Sequence, residues 1–286
     1  MALPSAIASK APSDVIDHVA RTFGDLGWKQ CRDVVARVIR DMEDAFAGRR
    51  PGYLANDMRY HDFGHSLQAT VCLADLVHGQ QRTDPMAGFG RREAELGVMA
   101  TLLHDVGFLK HTGDNFGTGA KYTLTHERRS CDFARTYLSG LGATTGEIED
   151  VCAAISCTGP RNRISAHAFR SPVARRLACL LVTADYVAQM SAPDYPDKLD
   201  FLFAEFVEAY DYENVPAELR PYRDANELRR KTPDFWEKFV RPMLDSEADG
   251  VHRFLSDTGQ ANPYLDAVAR NVAAIRRRAE TGVAHT

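Results

Sequence analysis

The strongest constraint on the fold is the spacing of apolar residues, which recur every three or four positions along most of the chain. One clear example is the series Val35, Ile39, Met42 and Phe46, which Gly48 then ends. This is the period of an amphipathic helix, and no segment sustains the two-residue alternation of a half-buried strand. The sequence therefore predicts an all-α fold.

Composition narrows the class of protein. The 286 residues are 44% hydrophobic and 26% charged, which is typical of a folded globular chain. Thirty-five Lys and Arg against thirty-nine Asp and Glu give a net charge of -4, so no basic excess favours a nucleic-acid scaffold as partner. The first residues lack the apolar stretch of a signal peptide, and no later run is long enough to span a membrane. We expect a cytoplasmic protein with no membrane partner.

The pattern also predicts several local features. The first twelve residues are expected to be a loose tail, and a helix is expected to begin near His61. The glycine-rich segment 110–123 predicts an ordered loop or a flexible lid. Towards the C-terminus, amphipathic helices are predicted at about 198–210, 233–256 and 263–278.

The candidate catalytic and metal-binding residues are a few histidines and aspartates in or next to predicted helices. His61 and His65 are four residues apart, His104 and Asp105 end an apolar helix, and His126 begins another. Asp185 is the most informative, because it lies in the apolar segment LACLLVTADYVAQM, where an unpaired carboxylate costs several kcal/mol. A buried cap, an ion pair with Arg175 or Arg176, or a bound metal ion would each compensate it.

Imidazole nitrogens combined with carboxylate oxygens suit divalent first-row metals. The six cysteines form no C-x-x-C pair, which argues against a structural zinc site and favours a catalytic centre. Asp105 could bridge two cations about 3.5–4 Å apart, a spacing that clamps a phosphoryl group. We expect one or two divalent ions, and the sequence does not distinguish Mn, Fe, Mg or Zn.

Taken together, these motifs resemble the HD-domain metal-dependent phosphohydrolase superfamily over about residues 55–195. The motifs that carry the resemblance are Y60-H61-D62-F63-G64-H65, L102-L103-H104-D105-V106-G107 and T183-A184-D185. The resemblance implies a helical bundle in which the first metal is held by His65, His104, Asp105 and Asp185, and a second by His126. The Tyr60-His61 pair is similar to the start of the cyclic-nucleotide phosphodiesterase motif, which implies that His61 is the general acid.

The chain departs from the family pattern at two positions. Many two-metal HD domains have a further histidine after the helix that begins at His126, where this chain has Cys157 and Thr158. Phe108 stands where the eukaryotic-type phosphodiesterase motif has another histidine. Whether Cys157 or Thr158 replaces the missing ligand stays open.

An anionic substrate requires hydrogen-bond donors near the metal centre. Lys110 and Lys121 flank the glycine-rich loop and are the preferred candidates, and Gln189, one turn after Asp185, is a third. Further candidates in loops and at helix ends are Arg59, Asn115, Arg128, Arg129, Arg161 and Arg163.

The resulting hypothesis is a metal-dependent phosphohydrolase, with a phosphodiesterase acting on a nucleotide or cyclic nucleotide preferred. Attack by a metal-bound hydroxide involves Asp105, and His61 protonates the leaving oxygen. Two alternatives stay open: a mixed-valent diiron oxygenase and a nucleotide-binding regulator without turnover. The expected partner is a small phosphoester, and a homodimer is compatible with the sequence.

The predicted organisation is one compact unit with three parts. Residues 1–54 form N-terminal helices that pack on the core, 55–195 form the HD-domain catalytic core, and 196–286 form a C-terminal helical extension.

Overall fold

The computed structural model describes residues 3–85, 89–159, 161–256 and 261–281. Within these ranges it is helical and has no strand, and its one isolated β-bridge joins Tyr53 and His111. The predicted all-α class is confirmed. The helices are α1 (Ser5–Ser9), α2 (Pro12–Asp25), α3 (Cys31–Phe46), α4 (Phe63–Thr83), α5 (Arg91–Leu103), α6 (His126–Gly140), α7 (Thr145–Ile155), α8 (Pro172–Ser191), α9 (Tyr195–Tyr212), α10 (Ala225–Phe235) and α11 (Pro263–Thr281).

Helices α4 and α8 form the centre of the bundle and pack against each other. Most residues of both helices are buried, as expected for helices that are apolar on nearly every side. Around them lie α2 and α5 on α4, and α7 and α11 on α8. No helix in the part of the chain described here is long and apolar enough to cross a membrane.

A connected apolar core joins the N-terminal helices, the centre and the C-terminal helices. It runs from Ile7 in α1 to Ile275 in α11, and both side chains are almost fully buried. The core therefore crosses both boundaries predicted at 54/55 and 195/196. Those boundaries stay predictions.

Two local predictions are wrong. The N-terminal segment includes α1, whose Ile7 is fully buried and accepts a hydrogen bond at its carbonyl oxygen from Gln68 Nε2 (2.8 Å), so this segment is not a loose tail.

The segment 233–256 is not one helix. It divides into the end of α10, π-helical turns at Trp236–Val240 and Met243–Glu247, and a 3-10 turn at Val251–Leu255. Pro242 has no amide hydrogen to donate, and Gly250 adopts a left-handed φ of 63°, so a continuous α-helix cannot form.

Candidate metal centre

Three helices bring the predicted metal ligands to one place. His65 lies in the first turn of α4, which begins at Phe63 because the Asp62 side chain caps it by accepting a hydrogen bond from the His65 amide (2.9 Å). His104 follows the last residue of α5, and Asp105 precedes the short 3-10 turn Val106–Phe108. Asp185 lies within α8.

The polar side-chain atoms of these four residues lie close to one another around His65 and His104. His65 Nε2 lies 3.0 Å from Asp185 Oδ1, 3.3 Å from His104 Nε2 and 3.4 Å from Asp105 Oδ2. His104 Nε2 lies 3.3 Å from Asp105 Oδ2 and 3.6 Å from Asp185 Oδ1. Metal–ligand bonds of about 2.0–2.2 Å at tetrahedral or octahedral angles place ligand atoms roughly 3.0–3.6 Å apart. The ligand atoms of His65, His104 and Asp185 all lie within 4.8 Å of one another, so among the described residues these three side chains could hold a metal ion.

Hydrogen bonds on the far side of the rings orient two imidazoles. His104 Nδ1 donates to the Thr101 carbonyl (2.7 Å), and His126 Nδ1 donates to the Thr123 carbonyl (2.8 Å). Because a carbonyl oxygen only accepts, Nδ1 carries the hydrogen in both rings. In a neutral ring this leaves the Nε2 lone pair for a metal, as in metal-binding histidines generally.

The charge balance of the cluster also fits a cation. Burial raises the pKa of Asp185, but hydrogen bonds from His104 and His65 outweigh it and lower the pKa to about 2. Burial lowers the pKa of His104, and the charge of Asp105 reverses the effect and raises it well above the ordinary value. Asp105 Oδ2 is buried and makes no hydrogen bond of acceptable geometry among the described residues. Two buried carboxylates thus draw positive charge into the cluster, and the residues fit a divalent metal ion.

Asp105 faces a second group as well. Its Oδ1 atom lies 3.7 Å from His126 Nε2, while its Oδ2 atom faces His65 and His104. This is the arrangement of a carboxylate that could bridge two ions.

Two residues were considered as replacements for the missing histidine ligand. Cys157 Sγ donates a hydrogen bond to the Ala153 carbonyl (3.2 Å), and Thr158 Oγ1 donates one to the Ile155 carbonyl (2.8 Å).

Close packing of α6 on the His104–Asp105 turn fixes the position of His126. A Cβ atom at Gly107 would lie 2.0 Å from the His126 carbonyl oxygen, so only glycine permits this approach. Ser130 Oγ accepts from the Gly107 amide (2.9 Å) and donates to the His104 carbonyl (2.5 Å). The Arg129 guanidinium donates to the Gly107 and Leu109 carbonyls (2.6 and 2.7 Å). Arg129, a candidate substrate contact by sequence, instead holds this turn.

His61 lies beside the cluster and is paired with a residue that the sequence interpretation missed. Its Nδ1 atom is 2.7 Å from Glu205 Oε2 in α9, and Glu205 Oε1 accepts from the Arg59 and Tyr60 amides (3.0 and 2.7 Å). Burial lowers the pKa of His61, but the hydrogen bond and charge of Glu205 outweigh it, so the pKa is raised above the ordinary value. Among described residues, His61 Nε2 makes no hydrogen bond.

Phe108 separates His61 from His126. Its ring stacks on His61 with centroids 4.7 Å apart and on His126 with centroids 4.3 Å apart. The residue that departs from the phosphodiesterase motif therefore packs between the predicted acid and the predicted second-metal ligand. A histidine here would add an imidazole to the centre, whereas phenylalanine supplies an apolar spacer.

Gln189, predicted to bind substrate, is hydrogen-bonded to Asp185, one of the predicted metal ligands. Its Nε2 atom donates to Asp185 Oδ1 (3.3 Å) and to the Asp185 carbonyl (3.1 Å), and its Oε1 atom accepts from the Tyr60 hydroxyl.

The ion pair considered for Asp185 is absent from the described structure. Arg175 pairs with Asp249 instead, and Arg176 Nη1 is buried without a hydrogen bond among the described residues.

A cavity of about 720 Å³ opens from the cluster. This is the size of a small-molecule site, for which about 300–1,000 Å³ is usual. His61, the four predicted ligands of the first metal and His126 line one side. Residues from α9, α10 and the loop between them line another.

Lys110 and Lys121 do not line this cavity. Lys110 Nζ pairs with Asp57 (2.7 Å) and donates to the Gly117 carbonyl (2.6 Å). Lys121 Nζ pairs with Asp114 and donates to the Phe116 carbonyl (2.5 Å). These ammonium groups hold the glycine-rich segment in an ordered loop, since their charges are already used within it.

Helix α9 ties the loop and His61 together through two glutamates. Glu208, three residues after Glu205, accepts from the Thr118 amide and from the Thr118 hydroxyl (2.6 Å). Glu205 could have been found by the logic applied to Asp185, because it is an acid within the aromatic-rich segment FLFAEFVEAY. The Glu205 side chain is only 6% exposed.

Comparisons with models of known protein families, with curated proteins and with solved structures return no match. The site is therefore interpreted from its own geometry.

Proposed function

We propose that this protein is a metal-dependent phosphohydrolase, and specifically a phosphodiesterase for nucleotide-like substrates, of the HD-domain type that its motifs resemble. The observation that carries the proposal is that His65, His104, Asp105 and Asp185 converge within hydrogen-bonding distances beside His61, on the wall of one cavity. A ligand set with an adjacent proton donor is what phosphodiester hydrolysis requires.

The four converging residues would hold the first divalent ion, and Asp105 with His126 would contribute to a second. A bound divalent cation supplies Lewis-acid activation of water and neutralises charge on the phosphoryl oxygens. Thr101 and Thr123 fix the His104 and His126 rings through their carbonyl oxygens. Gln189 orients the Asp185 carboxylate through its Nε2 donor.

His61 delivers the proton to the leaving group. Glu205 accepts from Nδ1, so the proton available for transfer is the one on Nε2. Water adds to phosphorus while the bond from phosphorus to the leaving oxygen breaks, and that oxygen takes the Nε2 proton. The proton lost by the water restores the protonated imidazole by the end of the turnover. A linear phosphodiester gives an alcohol and a phosphomonoester, and a cyclic nucleotide gives one product that carries both the new hydroxyl and the phosphomonoester.

The testing experiment compares leaving groups. Metal-stripped protein is reloaded with Mn, Fe or Mg and assayed on bis(p-nitrophenyl) phosphate and on cyclic nucleotides, whose alkoxide leaving group needs a proton. We expect His61→Ala to lower the rate on cyclic nucleotides by about 10²–10⁴-fold. The rate on bis(p-nitrophenyl) phosphate falls far less, because p-nitrophenolate leaves unprotonated.

His111→Ala is the matched control, since its ring packs on Tyr53 away from the cavity. Equal losses on both substrates in His61→Ala would refute the acid role. Oxygen uptake by the iron-loaded protein without phosphodiester turnover would favour the diiron oxygenase. Tight nucleotide binding with no product would favour the regulator.

A further inference from the structure

The cavity contains two arginines that the proposed chemistry does not use. Arg128, in the first turn of α6, and Arg161, in the loop after α7, both line it together with the metal cluster. Neither makes an ion pair or a side-chain hydrogen bond within the described residues. A third lining arginine, Arg135, differs, because its guanidinium pairs with Asp132 (3.2 Å) and Glu149 (3.3 Å).

The other side of the cavity is aromatic. Residues of α8, α9, α10 and the loop after α9 contribute Tyr186, Phe206, Tyr210, Tyr222 and Phe235. Phe206 and Tyr222 stack with centroids 6.1 Å apart, and Tyr186 contacts Phe235 at 6.2 Å. A wall of this kind accepts a planar or apolar group and provides no positive charge of its own.

Arg161 lies beside this aromatic wall. Arg161 and Tyr210 both line the cavity, and the charges of Arg161 and Arg220 oppose the rise that burial causes in the pKa of Tyr210. Arg128 lies in the first turn of α6, two residues after His126. One cavity is therefore lined by the predicted metal ligands, by aromatic rings and by these two guanidinium groups.

The acidic residue nearest to Arg128 does not neutralise it. Glu127 also lines the cavity, but its Oε2 atom lies 3.5 Å from His126 Nδ1. Its Oε1 atom approaches Gly159, where an added Cβ would be 1.8 Å away. The two guanidinium charges line the cavity without an ion pair among the described residues, so each is available to a phosphate monoester, which arginine binds with paired hydrogen bonds.

On this basis, and resting on the proposed hydrolase function, we propose that the substrate carries a second phosphate group, bound by Arg128 and Arg161, at a distance from the phosphodiester that is cleaved. The substrate class is then a nucleotide-like phosphodiester with an additional phosphomonoester. The aromatic wall takes the planar group between the two phosphates.

A matched pair of substrates tests this directly. Thymidine 5′-(p-nitrophenyl phosphate) and its 3′-phosphorylated counterpart differ only in the second phosphate and release the same chromophore. We expect the wild-type protein to favour the 3′-phosphorylated ester in kcat/KM by at least about tenfold, since hydrogen bonds between charged groups are worth about 1.5–3 kcal/mol. Arg161→Gln and Arg128→Gln each move the ratio of the two kcat/KM values towards one.

Arg163→Gln is the control variant. Arg163 is exposed, lies in the same loop and faces Glu247 (3.9 Å) outside this cavity, so the wild-type preference is expected to persist. Equal kcat/KM for the two esters in the wild-type protein would overturn the proposal. So would a preference that Arg161→Gln and Arg128→Gln leave unchanged.

A binding measurement separates this proposal from the hydrolase function. Calorimetry compares thymidine 3′,5′-bisphosphate with thymidine 5′-monophosphate on wild type and the three variants. Tighter binding of the bisphosphate by about tenfold or more, lost in Arg161→Gln but kept in Arg163→Gln, supports the second-phosphate site even if neither ester is hydrolysed. In that case the hydrolase proposal alone fails. Hydrolysis of both esters with equal binding of the two nucleotides leaves the hydrolase and refutes the second site.

Discussion

The two sides of the cavity are built in different ways. The metal side comes from α4, α5, α6 and α8, where ligands are set by helix ends and by backbone carbonyls. The opposite side comes mainly from α9, α10 and the loop between them. Two described residues of α9 contact the segment before α4: Glu205 pairs with His61, and Lys198 donates to the Tyr60 carbonyl (3.0 Å) and the Asp62 carboxylate (3.1 Å). The first side thus contributes the predicted metal ligands and the Phe108 ring that stacks on His61, whereas the carboxylate paired with His61 comes from the second side.

The largest expected effect is on the metal side. Asp105→Asn keeps the size of the side chain but removes the charge that faces both His65 and His126. We expect activity to fall by more than about 100-fold, because even partners behind the ligands are worth 10–100-fold. Metal content after gel filtration should fall in parallel. Full metal content with normal turnover would show that the centre does not depend on this carboxylate.

The second prediction asks whether the α9 side takes part in chemistry. Glu205→Gln removes the carboxylate that accepts from His61 Nδ1. We expect the rate on cyclic nucleotides to fall by about 10–100-fold, a part of the full effect of a general acid, with metal content unchanged. Glu208→Gln is the control, since its carboxylate binds only the Thr118 loop. A similar loss in both variants would mean that α9 acts only as a structural support.

The third prediction tests how tightly the metal side is packed. Gly107→Ala places a methyl group against the His126 carbonyl, so we expect the free energy of unfolding to fall by about 1–3 kcal/mol. Gly140→Ala, at the end of the same α6 helix and with open space around it, should instead stabilise by up to about 1 kcal/mol. Urea denaturation measures both. If Gly107→Ala leaves the free energy of unfolding unchanged, α6 can move away from the His104–Asp105 turn.

The smallest effect is a pH dependence far from the cavity. The Arg92 hydrogen bond lowers the pKa of Glu147 from 4.5 to about 2. A lowered carboxyl pKa stabilises the fold above the unfolded value, and this stabilisation is lost as the pH falls from about 4.5 towards 2. Because Arg92 and Glu147 are partly exposed, we expect their ion pair to contribute less than about 1 kcal/mol to the free energy of unfolding. Between pH 7 and pH 3, the wild-type protein should lose more stability than Glu147→Gln, and parallel losses would contradict this.

The sequence indicated more of the residues on the metal side of the cavity than on the side formed by α9 and α10. Asp185 is identifiable because its charge conflicts with the apolar residues around it, and the histidines have helical spacing. Glu205 carries the same signal, but its partner His61 is 144 residues away in the chain, and no local pattern relates the two. Sequence periodicity could indicate helices after α9, yet it could not show that Pro242 and Gly250 interrupt them.

Long side chains were the least predictable part of the site. Lys110 and Lys121 flank a glycine-rich loop next to the ligands, which favours a role with substrate. Their ammonium groups instead pair with Asp57 and Asp114. The choice between an internal partner and a ligand depends on where the loop backbone places each acid, and that is a property of tertiary structure.

The position of Glu205 has a consequence for the order of events during synthesis. A ribosome makes the chain from its N-terminus, so all the predicted metal ligands, the last of which is Asp185, exist before Glu205 is made. A nascent chain can gather its ligands while His61 still lacks its carboxylate partner. A chain that ends before α9 would therefore contain all the predicted metal ligands but lack the carboxylate that accepts from His61 Nδ1.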